Sequence, residues 1–172
     1  MRAGVQDHTL LDIGGGVGAI QYELLQAGAR TATSVEASPA FLEVARKEAA
    51  RKGLMDRIQF EQGDFVELAE RVPAADIVTL DRVVCCYPNV ESLLRLSTQR
   101  ARRFFGLVYP RDRWITRVVV RIENFFRWVI GNPFRSYVHP VESMDRLIRS
   151  EGFEQRQSLR TFKWEVAVYQ KV

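Results

Sequence analysis

Residues 10–19 read LLDIGGGVGA, an apolar run followed by four glycines within five positions. A strand, a glycine turn and then a helix aim backbone N–H groups and a helix N-terminus at a ligand. Glycine is needed there because a Cβ obstructs both the left-handed turn and the close approach of the ligand. Two templates fit the same letters. Gly14-x-Gly16-x-x-Ala19 is the dinucleotide fingerprint in its G-x-G-x-x-A form. Asp12-x-Gly14-x-Gly16-x-Gly18 adds a carboxylate two positions ahead of the turn. That carboxylate opposes a pyrophosphate by like charge and favours a ligand carrying a cation at that point.

Outward from the turn, strand-like and helix-like runs alternate. TLLDI (9–13), TATSVEAS, RIQFEQGD, ADIVTLD and RFFGLVYP read as strands. Helical spacing appears in VGAIQYELLQAG, SPAFLEVARKEAARKG, FVELAERV and VESLLRLSTQRA. In the second of these, Ser38 is the N-cap, Pro39 the first helical residue and Gly53 the stop. This order implies a parallel sheet covered on both faces. After Pro140 comes a helix ending at Gly152, then FEQRQSLR and TFKWEVAVYQKV as a closing pair of strands. Without repeat, low-complexity tract or linker, residues 1–172 read as a single domain.

Composition bounds the function. A chain of 172 residues with 47% hydrophobic and 27% charged residues is globular, and no apolar run reaches the length of a membrane span. The two cysteines, Cys85 and Cys86, are adjacent, so neither a disulfide framework nor a metal ligand set is expected. A reducing, cytoplasmic location follows as the simplest expectation. Charge is uneven: 9 Lys/Arg against 14 Asp/Glu in residues 1–94, and 16 against 7 in residues 95–172. A basic half suits an anionic substrate, a membrane surface, nucleic acid or simply solvent.

Three acids end successive strands behind the glycine turn. Glu36 closes the second strand, within reach of ribose hydroxyls as a two-oxygen acceptor. NAD sites also place an acid there, so Glu36 indicates a ribose without choosing between the templates. Asp64 follows the third strand in QGDF, and Asp81 ends the fourth, where open α/β sheets bind ligands.

With Asp12 and its glycines, this set resembles the class I S-adenosylmethionine-dependent methyltransferases. The resemblance runs from Leu10 to the terminal strands, whose EGFE…FKWEVAVYQK is a familiar ending in that family. It implies an α/β, Rossmann-like, doubly wound sheet of seven strands in the order 3-2-1-4-5-7-6, strand 7 antiparallel, with helices on both faces. It implies S-adenosyl-L-methionine as cofactor and S-adenosyl-L-homocysteine as product. Asp12 then lies near the cationic methionine amino group and Gly14, Gly15, Gly16 and Gly18 beneath the nucleoside. Glu36 with Ala37 falls at the ribose, Asp64 with Phe65 at the adenine, and Asp81 at the strand end facing the ligand. The family usually carries lid helices before the first strand, whereas this chain reaches its turn at residue 14. A lid that is missing or supplied by a partner is therefore expected.

After the fourth strand, LDRVVCCYPNVESLL places Tyr87-Pro88 in a loop expected to face the transferable methyl group. It is only loosely like the Asn-Pro-Pro-Tyr loop of base-modifying enzymes, so no nucleic-acid substrate is expected. The loop is more similar to that of the magnesium-protoporphyrin IX methyltransferases, as is the later Tyr137-Val138-His139. Those enzymes tend to carry histidine where this chain has Cys86, which itself reads as a small buried residue.

Residues 111–140 are the most individual stretch and read as a substrate-capping insertion. Arg113, Arg117 and Arg121 share a helical face, while Trp114, Val118, Ile122, Phe125 and Val129 form an apolar stripe with Phe126 and Trp128 beside it. Such a helix caps a site, binds a flat hydrophobic anion or lies peripherally on a membrane. The plainer alternative is a core helix with a solvated basic face.

The chemistry implied is in-line methyl transfer to a small hydrophobic or anionic acceptor, in which the protein mainly aligns the reactants and excludes water. Tyr87, Asp81 and His139 are the candidate base or orienting groups. A cofactor-binding protein without turnover and an NAD(P)-dependent oxidoreductase are the alternatives.

Overall fold

A computed structural model describes residues 4–172. Seven strands form one sheet: β1 (Thr9–Ile13), β2 (Thr31–Glu36), β3 (Ile58–Gln62), β4 (Ala75–Asp81), β5 (Ala101–Pro110), β6 (Phe153–Arg160) and β7 (Trp164–Lys171). Their order is β3-β2-β1-β4-β5-β7-β6, with β7 antiparallel to both neighbours and every other pairing parallel. The expected topology is the one observed.

The crossover helices are α1 (Ala19–Gln26), α2 (Pro39–Arg51), α3 (Phe65–Leu68) and α4 (Val90–Arg100); α5 (Trp114–Val129) and α6 (Val141–Ser150) follow β5. Residues Leu10–Ile13 of β1 and Ile77–Leu80 of β4 are all buried, because helices cover both faces of the central strands. Two core clusters flank the sheet, one under α4 and α6 around Leu11, Val78, Phe105 and Ile148, the other under α1 and α2 around Leu10, Tyr22, Leu25 and Ala49. The edge strand β6 is mostly exposed and polar, a composition that discourages edge-to-edge pairing.

Local chemistry sets the boundaries. The Ser38 hydroxyl accepts from the Phe41 N–H at 3.4 Å, and Pro39 occupies N1. Gly53 takes φ +68°, which ends α2 as expected. Helix α3 is a single turn, shorter than FVELAERV suggests; the chain leaves it through a turn in which the Arg71 and Val72 N–H groups both donate to the Leu68 carbonyl.

The larger departure is α5. No residue in it is buried, so it is not the core helix of the plainer alternative. Trp114, Phe125 and Trp128 are 74%, 58% and 67% exposed. Its half-buried positions are Thr116, Val120, Asn124 and Arg127, the polar side of the helix. Asn124 and Arg127 are tied to the returning chain: Asn124 Nδ2 donates to the Ser136 carbonyl at 2.8 Å and Arg127 Nη1 to the Ser136 hydroxyl at 2.9 Å. Periodicity reveals an apolar stripe; it does not say which side of the helix the body lies on. No helix among the described residues is long and apolar enough to cross a membrane.

Candidate active site

A cavity of about 860 Å³ opens at the carboxyl ends of β1, β2 and β4, the crevice in which sheets of this kind bind ligands. Its floor is Gly14, Gly15 and Gly16, and the predicted Glu36, Ala37, Asp64, Phe65, Asp81 and Tyr87 line its walls. A smaller groove between α1 and α2, about 560 Å³, is lined by the salt-bridged Lys47, Glu48, Arg51 and Lys52 and contains none of these acids.

The glycine turn is closed from below. Gly14, Gly16 and Gly18 all have positive φ, and Gly18 is the N-cap of α1. A Cβ at Gly15 would collide with the Asp12 carboxylate, so the turn lies directly on that side chain. Gly16 faces open space and its N–H donates to Glu36 Oε2 at 3.0 Å. Glu36 Oε1 accepts from the Ser38 N–H at 2.8 Å. A carboxylate has about four lone-pair sites, so after these two backbone bonds acceptor capacity is left on Glu36 toward the cavity.

Asp12 is 1% exposed and does not itself line the cavity. Thr79 pairs with it across β1 and β4 and donates its hydroxyl to Oδ1 at 2.6 Å. Burial pushes the Asp12 carboxyl up to about 7; the Thr79 bond opposes this, and the charges of Asp81 and Glu36 add to it. The polar Thr79 within the buried run Ile77–Leu80 was the available sequence signal for this partner.

Asp64 caps α3, accepting from the Val66 N–H at 2.9 Å, and also receives the Tyr87 hydroxyl at 2.9 Å. Tyr87 therefore latches the loop after β4 to the loop after β3. Burial and the adjacent Asp64 push its phenol up to about 12, so near neutral pH it remains a donor. Asp81 takes a bidentate pair of bonds from Arg82 at 3.0 and 3.1 Å. Arg82 has φ 58°, rare for a residue with a side chain, and its guanidinium lies 5.8 Å from the Trp164 ring centroid.

His139 lies elsewhere. It sits behind the loop in a small recess with Val84, Tyr109 and Met144, and its Nε2 is 3.0 Å from the Tyr87 carbonyl oxygen. A carbonyl only accepts, so Nε2 carries the hydrogen. The ring stacks on Tyr137 at 5.8 Å. Cys86, expected to be buried, is exposed and lines the cavity with Cys85, because the turn Val84–Cys86 runs along its rim. Phe134 and Trp164 line the cavity as well, brought in from residues 111–140 and from β7. Local spacing carries no signal for these contacts.

This architecture is shared with known proteins. The family described as "Methyltransferase domain" matches residues 10–103, more than half of the chain. A ubiquinone/menaquinone biosynthesis C-methyltransferase of Brucella abortus is 27% identical, the match covering 92% of this chain and 66% of the relative. The chain thus spans just under two thirds of that relative's length. Among solved structures, magnesium protoporphyrin IX methyltransferase of Synechocystis PCC 6803 with bound SAH superposes with a TM-score of 0.79 at 19% identity, covering 99% of this chain and 77% of that one. An O-methyltransferase family 2 protein of Planctomyces limnophilus in complex with apigenin gives 0.74 at 16% identity, with 97% and 50% covered. The sheet order, the glycine turn over Asp12 and the match over residues 10–103 agree: the chain belongs to the class I S-adenosylmethionine-dependent methyltransferases.

Proposed function

We propose that the chain uses S-adenosylmethionine to methylate a small hydrophobic or anionic acceptor by in-line displacement. The observation that carries this reading is one continuous cavity running from the glycine turn past Glu36 and Asp64 to Tyr87, Phe134 and Trp164. Its volume of about 860 Å³ lies in the upper part of the range of about 300–1,000 Å³ usual for small-molecule sites, enough for a nucleoside and an acceptor together.

The residues fit that cofactor. Glu36 offers unfilled acceptor sites to ribose hydroxyls, and Ala37, Phe41 and Phe65 offer apolar walls to a purine. Asp12, one layer beneath Gly15, supplies negative charge to an ammonium group resting on the turn. When bound, the cofactor supplies a methyl group already activated on a sulfonium. The protein's share is alignment and exclusion of water. Phe134 supports residues 111–140 as the capping segment.

Asp81 and Tyr87 are engaged in hydrogen bonds that orient the loop, and His139 acts through the Tyr87 carbonyl. His139 is therefore a positioning residue. His139→Ala is expected to lower turnover about tenfold through misplacement of Tyr87, with cofactor affinity unchanged. His139→Gln, which keeps a donor for the carbonyl, is expected to recover much of it. Equal losses in both variants, or a change in cofactor affinity, would remove this role.

Calorimetric titration with S-adenosylmethionine, S-adenosylhomocysteine and NAD tests the reading. Both sulfur nucleosides are expected to bind at micromolar concentration and NAD not to bind. Failure of both at millimolar concentration overturns it. Binding without methyl transfer to any hydrophobic or anionic acceptor would instead favour a silent cofactor-binding protein.

A further inference from the structure

Helix α5 is amphipathic the wrong way round for a globular protein. Its polar side, Asn124 and Arg127, is hydrogen-bonded to the Ser136 region of its own chain. Trp114, Ile115, Val118, Val119, Ile122, Phe125, Phe126, Trp128 and Val129 are all exposed. The three rings of Phe125, Phe126 and Trp128 cluster on this face, with centroids 5.9 and 6.1 Å from that of Phe125. Sixteen residues of helix give an apolar ridge about 24 Å long, more than soluble proteins ordinarily leave bare.

A second exposed aromatic side chain lies on an element fastened to the start of this segment. Arg111 N–H donates to the Lys163 carbonyl at 3.0 Å, fastening the start of the α5 segment to the β6–β7 turn. At that turn Phe162 is 88% exposed. The surroundings are basic: residues 111–140 hold six arginines against two acids, and Lys163 adds another cation. Asp112 pairs with Arg117 and Glu123 with Arg127, which leaves Arg111, Arg113, Arg121 and Arg135 without an ion-pair partner among the described residues; Arg113 and Arg121 are the two on α5 or at its start.

We propose that this face docks on an anionic phospholipid bilayer, with α5 lying in the interface plane. Aromatic and aliphatic side chains on one side with arginines at the margin suit the boundary between acyl chains and phosphate headgroups. Charge argues against a second copy of the chain as the occupant. A two-fold contact through this ridge brings the same unpaired arginines to both sides, and residues 111–140 hold no unpaired carboxylate to meet them. Phe134 and Trp164 line the cavity and belong to the same two segments, so a docked molecule turns one wall of the cavity toward the lipid. Passage of an apolar acceptor from bilayer to cavity follows from this only if the proposed methyl transfer holds; the docking itself does not depend on it.

The test is co-sedimentation and tryptophan fluorescence with vesicles of equal parts phosphatidylcholine and phosphatidylglycerol, and with phosphatidylcholine alone. The chain is expected to sediment with the anionic vesicles and its emission to shift to the blue. Phe125→Asp/Trp128→Asp is expected to weaken partitioning about 100-fold, the loss of two aromatic side chains from the apolar phase. Arg113→Gln/Arg121→Gln is expected to weaken it about fivefold per arginine. All four positions are exposed, and far-UV circular dichroism with S-adenosylmethionine titration checks that each variant is folded. No sedimentation with anionic vesicles, or binding indifferent to both double variants, overturns the proposal. So does a concentration-dependent dimer that forms through Phe125 and Trp128 and excludes vesicles. A folded variant that loses vesicles but keeps the cofactor separates this inference from the methyl-transfer reading.

Discussion

Asp12→Asn is expected to stabilise the ligand-free protein at pH 8 while weakening its hold on the cofactor. In the folded chain the Asp12 carboxyl titrates near 7, against 3.8 ordinarily. Between those values the folded state keeps a proton that the unfolded state releases. Its contribution is therefore present below pH 3.8, declines as pH rises, and is lost above about pH 7. A gap of about three units corresponds to roughly 4 kcal/mol. The asparagine amide brings a donor under Gly15 that costs about 1 kcal/mol if unpaired, so a net gain of roughly 2–3 kcal/mol at pH 8 is expected. Urea unfolding at pH 8 and at pH 4 checks this: the variant's advantage should be large at the first and vanish at the second. A variant less stable than the parent at pH 8 would show that the buried carboxylate is not a cost. Cofactor affinity should fall about tenfold or more in the same variant, because the ammonium group loses its counter-charge. Tighter folding with weaker binding is what a charge buried for function produces.

Glu36→Ala is expected to raise the S-adenosylmethionine dissociation constant at least about 100-fold, since hydrogen bonds to a charged acceptor contribute about 1.5–3 kcal/mol each and the two ribose hydroxyls of the proposed cofactor lose theirs. Glu36→Gln, which keeps one acceptor oxygen, should fall between. Because Gly16 N–H and Ser38 N–H lie at the cavity wall, water replaces the carboxylate as their acceptor, and the fold should tolerate either change. Calorimetry reads the affinity and thermal unfolding the stability. A change in affinity smaller than threefold would exclude Glu36 from the ribose site.

Most of the cavity wall around the glycine turn was legible because it is built from strand ends. In a parallel sheet, consecutive strands deliver their carboxyl termini to one edge, so Gly14, Glu36, Asp64 and Asp81 converge once the β-α alternation is recognised. Boundaries written in local chemistry were legible for the same reason: Ser38-Pro39 starts α2 and Gly53 ends it. The opposite wall was not. Phe134 and Trp164 reach the cavity from segments far along the chain, and nothing in their own neighbourhoods marks that destination. His139 carried a family resemblance, yet the turn Val84–Cys86 and Tyr87 stand between its ring and the cavity.

Sequence alone, through the order of apolar strands and the glycines after Asp12, determined the sheet and the edge at which the cavity opens. Short-range sterics and a right-handed crossover leave few other ways to connect those elements. Three things were decided only by the tertiary structure. Asp12 lies beneath the turn, against Thr79; the Tyr87 hydroxyl is committed to Asp64; and α5 presents its apolar side outward. Each depends on which surface of an element meets the rest of the chain, and periodicity defines the surfaces without choosing between them.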